Sequence, residues 1–138
     1  ARTLQLVDEI AEGIPIMGSV AAGGLVETYS DIQENLDICD VLRTKNVFAL
    51  TVNGDSMIDA CIADGDMVLM EPIQDSYSLR NGTIVSAMVP GLGTTLKYFF
   101  KRSGKIFLEA ANTAYEPIVL NLDEVVFQGK LLAVWRKM

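Results

Sequence analysis

Short apolar runs, each closed by Gly, Pro, Asn or Asp, make up most of the sequence from residue 14 onward. The runs are rich in β-branched and aromatic residues, which is typical of strands. Regular turn signals between short strands favour an all-β domain over a helical one. We therefore expect a mainly β fold with strongly curved, barrel-like antiparallel sheets. The predicted strands are Val47–Val52, Met67–Glu71, Thr83–Val89, Thr94–Lys101, Lys105–Ala110 and Lys130–Lys137.

The same pattern predicts how the chain is organised. Residues 1–13 are mixed and acidic and have no core pattern, so they are interpreted as a linker or leader, and residues 14–138 as one domain. Ser56–Ile62 predicts one short helical turn that carries a serine. In the last strand, strict alternation would place Leu131, Ala133 and Trp135 on one face of the sheet.

Composition narrows the chemistry. The 138 residues carry a net charge of −7 and contain no histidine, which excludes a Ser-His-Asp triad, a Cys-His pair and a histidine-based zinc site. The acidic balance argues against direct binding of nucleic acid, which needs clustered Lys and Arg. Cys39 and Cys61 are predicted to be buried thiols in a reducing compartment. With no membrane span and no signal peptide in the pattern, we expect a cytoplasmic protein.

A serine follows the strand at Val47–Val52 directly, in the run Gly54-Asp55-Ser56-Met57. Backbone N–H groups at the start of a helical turn are unpaired and can hold a developing oxyanion. The run Ser56-Met57-Ile58-Asp59 also fits the S-x-x-D capping box. Ser56 is thus a candidate nucleophile or a helix cap.

Lys97 lies among apolar residues on a predicted strand. It would deter aggregation on an edge strand, or lose its charge on an inner face. A lysine with an ordinary pKa of about 10.4 is neutral in roughly one molecule in 2,500 at pH 7, so a lysine base must be desolvated. The small residues of Gly18–Gly24 likewise have two interpretations, a plain loop or a slender segment that enters a cleft to be cut.

Four stretches of the chain match motifs of one known family and follow one another in the same order as in that family. They are Ile14–Gly23, Val52–Ile58, Asp64–Asp66 and Thr95–Lys97. Together they resemble the catalytic domain of LexA-type self-cleaving repressors, a family that includes phage repressors and the UmuD polymerase accessory protein. The resemblance runs from about Ile14 to Trp135. It implies a curved, mostly β domain with serine–lysine chemistry and with neither metal nor cofactor.

Carried over residue by residue, the resemblance makes Ser56 the nucleophile and Lys97 the general base. The backbone N–H groups of Ser56 and Asp55 become the oxyanion donors, and Ala22–Gly23 is the bond that is cut. The implied protein is a latent serine peptidase acting on its own chain. A RecA filament on single-stranded DNA would stimulate the cut, which relieves repression in the SOS response.

The resemblance also implies partners. A homodimer is expected, with Leu131–Trp135 as a candidate interface, although core packing explains that stretch equally. DNA would be contacted only through an N-terminal helix-turn-helix domain, which the 138 residues do not contain. Two other hypotheses stay open: a UmuD-like accessory subunit of an error-prone polymerase, and a non-enzymatic dimerisation module. The second predicts an exposed Lys97 more than about 5 Å from Ser56, beyond hydrogen-bond reach.

Overall fold

The chain divides into two compact units, residues 1–44 and 45–138. The computed structural model describes residues 13–20, 22, 26–28, 34–43 and 46–138. In the described part of the first unit, two short antiparallel pairs precede one helix. The elements are β1 (Ile14–Pro15), β2 (Gly18–Val20), β3 (Val26–Thr28), β4 (Asn35–Leu36) and α1 (Ile38–Arg43), with β1 paired to β4 and β2 to β3.

Strands dominate the second unit, because its apolar runs are too short and too rich in β-branched residues for helices. Three single 3-10 turns lie between them, at Ile58–Ala60, Ser76–Ser78 and Leu122–Glu124. The strands are β5 (Phe48–Thr51), β6 (Met67–Pro72), β7 (Thr83–Val89), β8 (Gly93–Arg102), β9 (Lys105–Glu109), β10 (Ile118–Leu120) and β11 (Val126–Trp135).

Within the described residues these seven strands form one antiparallel sheet, in the order β10-β9-β8-β7-β11-β6-β5. Strand β11 lies between β7 and β6, so the last strand of the chain pairs with two strands that come much earlier in the sequence. The prediction of a mainly β, antiparallel fold is confirmed. The sheet keeps two edges, β10 and β5, and therefore does not close into a barrel.

Alternation along β7 and β8 sends side chains into two separate clusters of buried residues. Val85, Ala87 and Phe99 belong to the first cluster, with Ile106 and Leu108 of β9. The second cluster is built mostly from residues between β5 and β7, with one residue from the loop after β9, and Leu96 packs against it. Its buried members are Met57, Ile62, Val68, Met70 and Ala111.

Two local predictions are wrong. A register shift between Leu131 and Ala133 interrupts β11, so the strict alternation predicted for this strand does not hold. Cys39 and Cys61 are free and exposed rather than buried. Cys61 ends a 3-10 turn in the left-handed region, at φ 61°, where the chain turns back at the surface. No helix among the described residues has the length and apolar character to cross a membrane.

Candidate active site

Ser56 lies in the turn between β5 and the first 3-10 turn, which begins two residues later at Ile58. Its hydroxyl does not cap that turn: the residue at the cap position is Met57, which makes no side-chain capping bond. The N–H of Asp59 donates instead to the carbonyl of Ala111, at 2.8 Å. The capping interpretation of Ser56 is therefore wrong, and its hydroxyl is available for another partner.

That partner is Lys97, whose Nζ lies 3.0 Å from Oγ of Ser56. Lys97 lies on β8 opposite Val85 of β7, one residue before the pairing of β8 with β9 begins at Tyr98. Its burial, and not its place in the sheet, contradicts the interpretation of a lysine that deters aggregation from an exposed edge. Only 8% of its surface is exposed. A non-enzymatic module predicts an exposed lysine far from the serine, and neither expectation is met.

Two further groups hold the amine. Nζ of Lys97 donates to Oγ1 of Thr95 at 2.6 Å and to the carbonyl of Leu96 at 3.1 Å. Thr95 precedes Lys97 by two residues on a strand, so both side chains leave the same face. Thr95 is not among the predicted site residues, although its spacing of two from Lys97 is a signal that could identify it.

Burial lowers the pKa of Lys97 below its ordinary value, because removal from water disfavours the ammonium form. Among the described residues, the amine's hydrogen-bond partners are two hydroxyls and a carbonyl, and none is a carboxylate that would offset this effect. A neutral amine beside a hydroxyl is the arrangement that a lysine base requires.

The loop Ala63–Asp66 forms hydrogen bonds with the residues that lead into the Ser56 turn. The N–H of Gly54 donates to Oδ1 of Asp64 at 2.6 Å, and Val52 exchanges backbone hydrogen bonds with Gly65 and Asp66. Gly54 has φ 97°, a left-handed conformation that a side chain would strain. The Asp64-Gly65-Asp66 run thus fixes the path of the chain as it enters the Ser56 turn.

A second loop holds the same turn from the other side. The hydroxyl of Tyr115 donates to Oδ1 of Asp55 at 2.5 Å, and Nδ2 of Asn112 donates to the Asp55 carbonyl at 3.0 Å. Met57 is buried, and its Sδ accepts from the N–H of Ala111 at 3.4 Å. Asn112 and Tyr115 are not among the predicted site residues, because contacts across more than fifty residues leave no local pattern in the sequence.

The backbone N–H groups of Asp55 and Ser56 have no protein acceptor within the described part of the chain. Neighbouring unpaired N–H groups beside a nucleophile are the feature that an oxyanion hole needs. A cleft of about 430 Å³ opens next to them, lined by residues of β5 to β8 together with Tyr115. Ser56 and Lys97 both line it.

The proposed cut lies in the first unit. Ala22 is in the turn that connects β2 and β3 and is exposed, while Gly23 lies outside the described residues. Over the ranges that the structure describes, no group of three or more His, Cys, Asp or Glu side chains is placed to hold a metal ion.

A serine hydroxyl 3.0 Å from a buried lysine, on a mainly β unit, is the arrangement expected of a peptidase that works without histidine. Comparison with known proteins agrees with this class. Residues 15–132 match the Peptidase S24-like family, and the chain belongs to that family. The chain is also similar to the LexA repressor of Paramagnetospirillum magneticum strain AMB-1, with 42% identity over 125 residues. These residues are 90% of this chain and 52% of the relative, so the chain spans about half the length of the curated protein it matches.

Proposed function

We propose that the chain is the latent serine–lysine autopeptidase domain of an SOS-type transcriptional repressor, and that it cuts its own Ala22–Gly23 bond. The observation that carries this proposal is the 3.0 Å separation between Oγ of Ser56 and Nζ of the buried Lys97. Membership of a peptidase family supports a hydrolytic role for this pair.

In the reactive state Lys97 is neutral and has two N–H bonds and one lone pair. The carbonyl of Leu96 can only accept, so it takes one amine hydrogen, and the hydroxyl oxygen of Thr95 takes the other. The lone pair is then left facing Ser56. Thr95 and Leu96 therefore aim the base at the nucleophile, as a histidine is aimed by its carboxylate in other serine peptidases.

The reaction is an acyl transfer in two steps. Lys97 takes the proton of Ser56 as Oγ bonds to the carbonyl carbon of Ala22, and the N–H groups of Asp55 and Ser56 receive the oxyanion. The bond to Gly23 then breaks, and the proton on Lys97 passes to the leaving amine. Water hydrolyses the ester on Ser56 and releases the fragment that ends at Ala22.

Holding substrate and nucleophile in one chain can supply up to about 7–11 kcal/mol of the barrier in ideal geometry. A permanently productive arrangement would destroy the protein, so the productive arrangement must be a minor state of the chain. A RecA filament on single-stranded DNA stimulates cleavage by binding the productive state more tightly. The repressor role follows from the name of the relative, and a homodimer of this domain belongs to the same proposal.

Incubation of the purified chain at neutral and alkaline pH tests the proposal. Mass spectrometry should find two fragments that meet between Ala22 and Gly23, at a rate that rises with pH. The Ser56→Ala and Lys97→Ala variants should stay intact, with Ser103→Ala as the matched control that cleaves normally. Equal cleavage of wild type and Ser56→Ala, or no cleavage of either, would contradict the proposal.

A further inference from the structure

Arg136 does not line the cleft of Ser56 and Lys97, yet its contacts lead to the residues on both sides of Ser56. It directly follows Trp135, the last residue of β11. There it lines a separate open cavity beside the Ala63–Asp66 loop. The proposed reaction assigns it no role.

The first contact of Arg136 is a bidentate pair with the carboxylate of Asp66. Its Nε donates to Oδ1 and its Nη2 to Oδ2, each at 2.6 Å, and the Asp66 side chain is 2% exposed. Oδ2 also accepts from the N–H of Ala63 at 2.8 Å. A planar guanidinium fixes the direction of such a pair as well as its length, so Arg136 holds the loop in one position.

The same loop holds the residues that precede Ser56. The carbonyl of Asp66 accepts from the N–H of Val52 at 2.8 Å. Oδ1 of Asp64 accepts from the N–H of Gly54 at 2.6 Å. A shift of the loop would therefore move the chain as it enters the turn that carries Ser56.

The second contact of Arg136 lies on the other side of Ser56. Nη2 also donates to the carbonyl of Cys61, at 3.2 Å. Cys61 ends the 3-10 turn Ile58–Ala60, and its N–H donates back to the carbonyl of Ile58 at 2.9 Å. One guanidinium therefore holds the end of the segment that follows Ser56 together with the loop that holds the segment before it.

We infer that Arg136 is a positioning residue for self-cleavage, which holds the turn of Ser56 in place through Asp66 and Cys61. Acyl transfer is sensitive to such a hold, because a misplacement of about 1 Å at the reacting group can cost about 100-fold in rate. The inference rests on the proposed function, since it takes Ser56 as the nucleophile. It extends the reaction's requirements to a residue that does not line the cleft.

The first experiment compares pH–rate profiles of self-cleavage, with the fold of each variant checked by circular dichroism. Arg136→Gln should lower the plateau rate by about 10–100-fold and leave the midpoint unchanged, because Lys97 keeps its surroundings. Arg136→Lys keeps the charge and one donor, and should recover part of the rate. The matched control is Arg102→Gln, which removes a similarly exposed arginine from its pair with Glu109 and should cleave at the wild-type rate. An unchanged plateau for Arg136→Gln, or a loss that comes from a shifted midpoint, would overturn the inference.

A second measurement does not depend on cleavage. In the full chain carrying Ser56→Ala, NMR follows hydrogen exchange of the backbone N–H groups with and without Arg136→Gln. Exchange at Val52 and Gly54 should become about 3–10-fold faster, while Val85 in the middle of β7 keeps its rate, and the matched control should change none of the three. Unchanged exchange at Val52 and Gly54, or an acceleration that Val85 shares, would overturn the inference. A wild-type chain that is not cleaved contradicts the proposed function, whereas these exchange rates judge the hold of Arg136 on the turn in either case.

Discussion

The hydroxyl of Tyr115 donates to the carboxylate of Asp55, which joins the loop after β9 to the turn that carries Ser56. Asp55 also accepts through its carbonyl from Asn112. The hydrogen bond to Asp55 raises the pKa of Tyr115, because the carboxylate stabilises the protonated phenol. The link therefore persists at the alkaline pH at which a lysine base works.

Tyr115→Phe should slow self-cleavage by about 3–10-fold, the equivalent of one lost hydrogen bond. The midpoint of the pH–rate profile should stay the same, because Tyr115 positions the turn and does not contact the amine of Lys97, whose pKa sets that midpoint. Tyr77→Phe is the matched control, since Tyr77 is exposed and does not line the cleft. A shifted midpoint, or an unchanged rate, would contradict this positioning role.

Thr95→Val removes the 2.6 Å acceptor of Lys97 while keeping the shape of the side chain. We expect the cleavage rate to fall by about tenfold, because the amine loses a group that aims its lone pair at Ser56. Thr95→Ser keeps the hydroxyl and should restore most of the rate. Single-turnover rates of the two variants check this, and a slow Thr95→Ser chain would mean that the methyl group matters instead.

Lys97 should also leave a signature in folding stability. The pKa of Lys97 is lower in the folded chain than in the unfolded chain. At a pH between the two pKa values, Lys97 is therefore protonated in the unfolded chain and neutral in the folded chain. The free energy of unfolding then rises with pH. In the Ser56→Ala background, denaturant unfolding should show the native Lys97 chain gaining stability relative to Lys97→Met as pH increases. The slope is at most about 1.4 kcal/mol per pH unit for one proton. Lys101→Met, at an exposed position of β8, is the matched control.

Arg136 holds the buried carboxylate of Asp66 through two hydrogen bonds of 2.6 Å each. These bonds lower the pKa of Asp66 from 3.8 to about 2. The carboxylate therefore contributes stability above about pH 4, and that contribution is lost as the pH falls through about 2. Asp66→Asn should flatten the pH dependence of thermal unfolding in this window, whereas Asp123→Asn at an exposed position should not. Parallel curves for Asp66→Asn and wild type would refute the assignment.

The strands and turns of the second unit were largely predictable from sequence. Strands β5 (Phe48–Thr51) and β7 (Thr83–Val89) fall within the predicted ranges, because β-branched and aromatic residues repeat there between clear turn signals. Strand β10 and helix α1 were not predicted, since Ile118–Leu120 and Ile38–Arg43 are short and depend on tertiary partners. The register shift between Leu131 and Ala133 of β11 was also not predictable from sequence, because a bulge leaves the local alternation of residue types unchanged.

The site was predictable in part. Ser56 and Lys97 were chosen because a chain without histidine needs another base, and because their order matches the family. The local S-x-x-D pattern pointed instead to a helix cap, and the tertiary contact with Lys97 decided against it. Asn112 and Tyr115 come from a distant loop, and only the fold reveals their contacts with Asp55.

The central claim is that Lys97 is desolvated so that it can activate Ser56. The most direct test is an NMR titration of the Lys97 side chain in the intact Ser56→Ala chain, set beside the pH–rate profile of self-cleavage in the wild type. The account predicts a Lys97 pKa clearly below that of exposed lysines, and a cleavage rate that stops rising at the same pH. A Lys97 that titrates at the ordinary value of about 10.4 would contradict it.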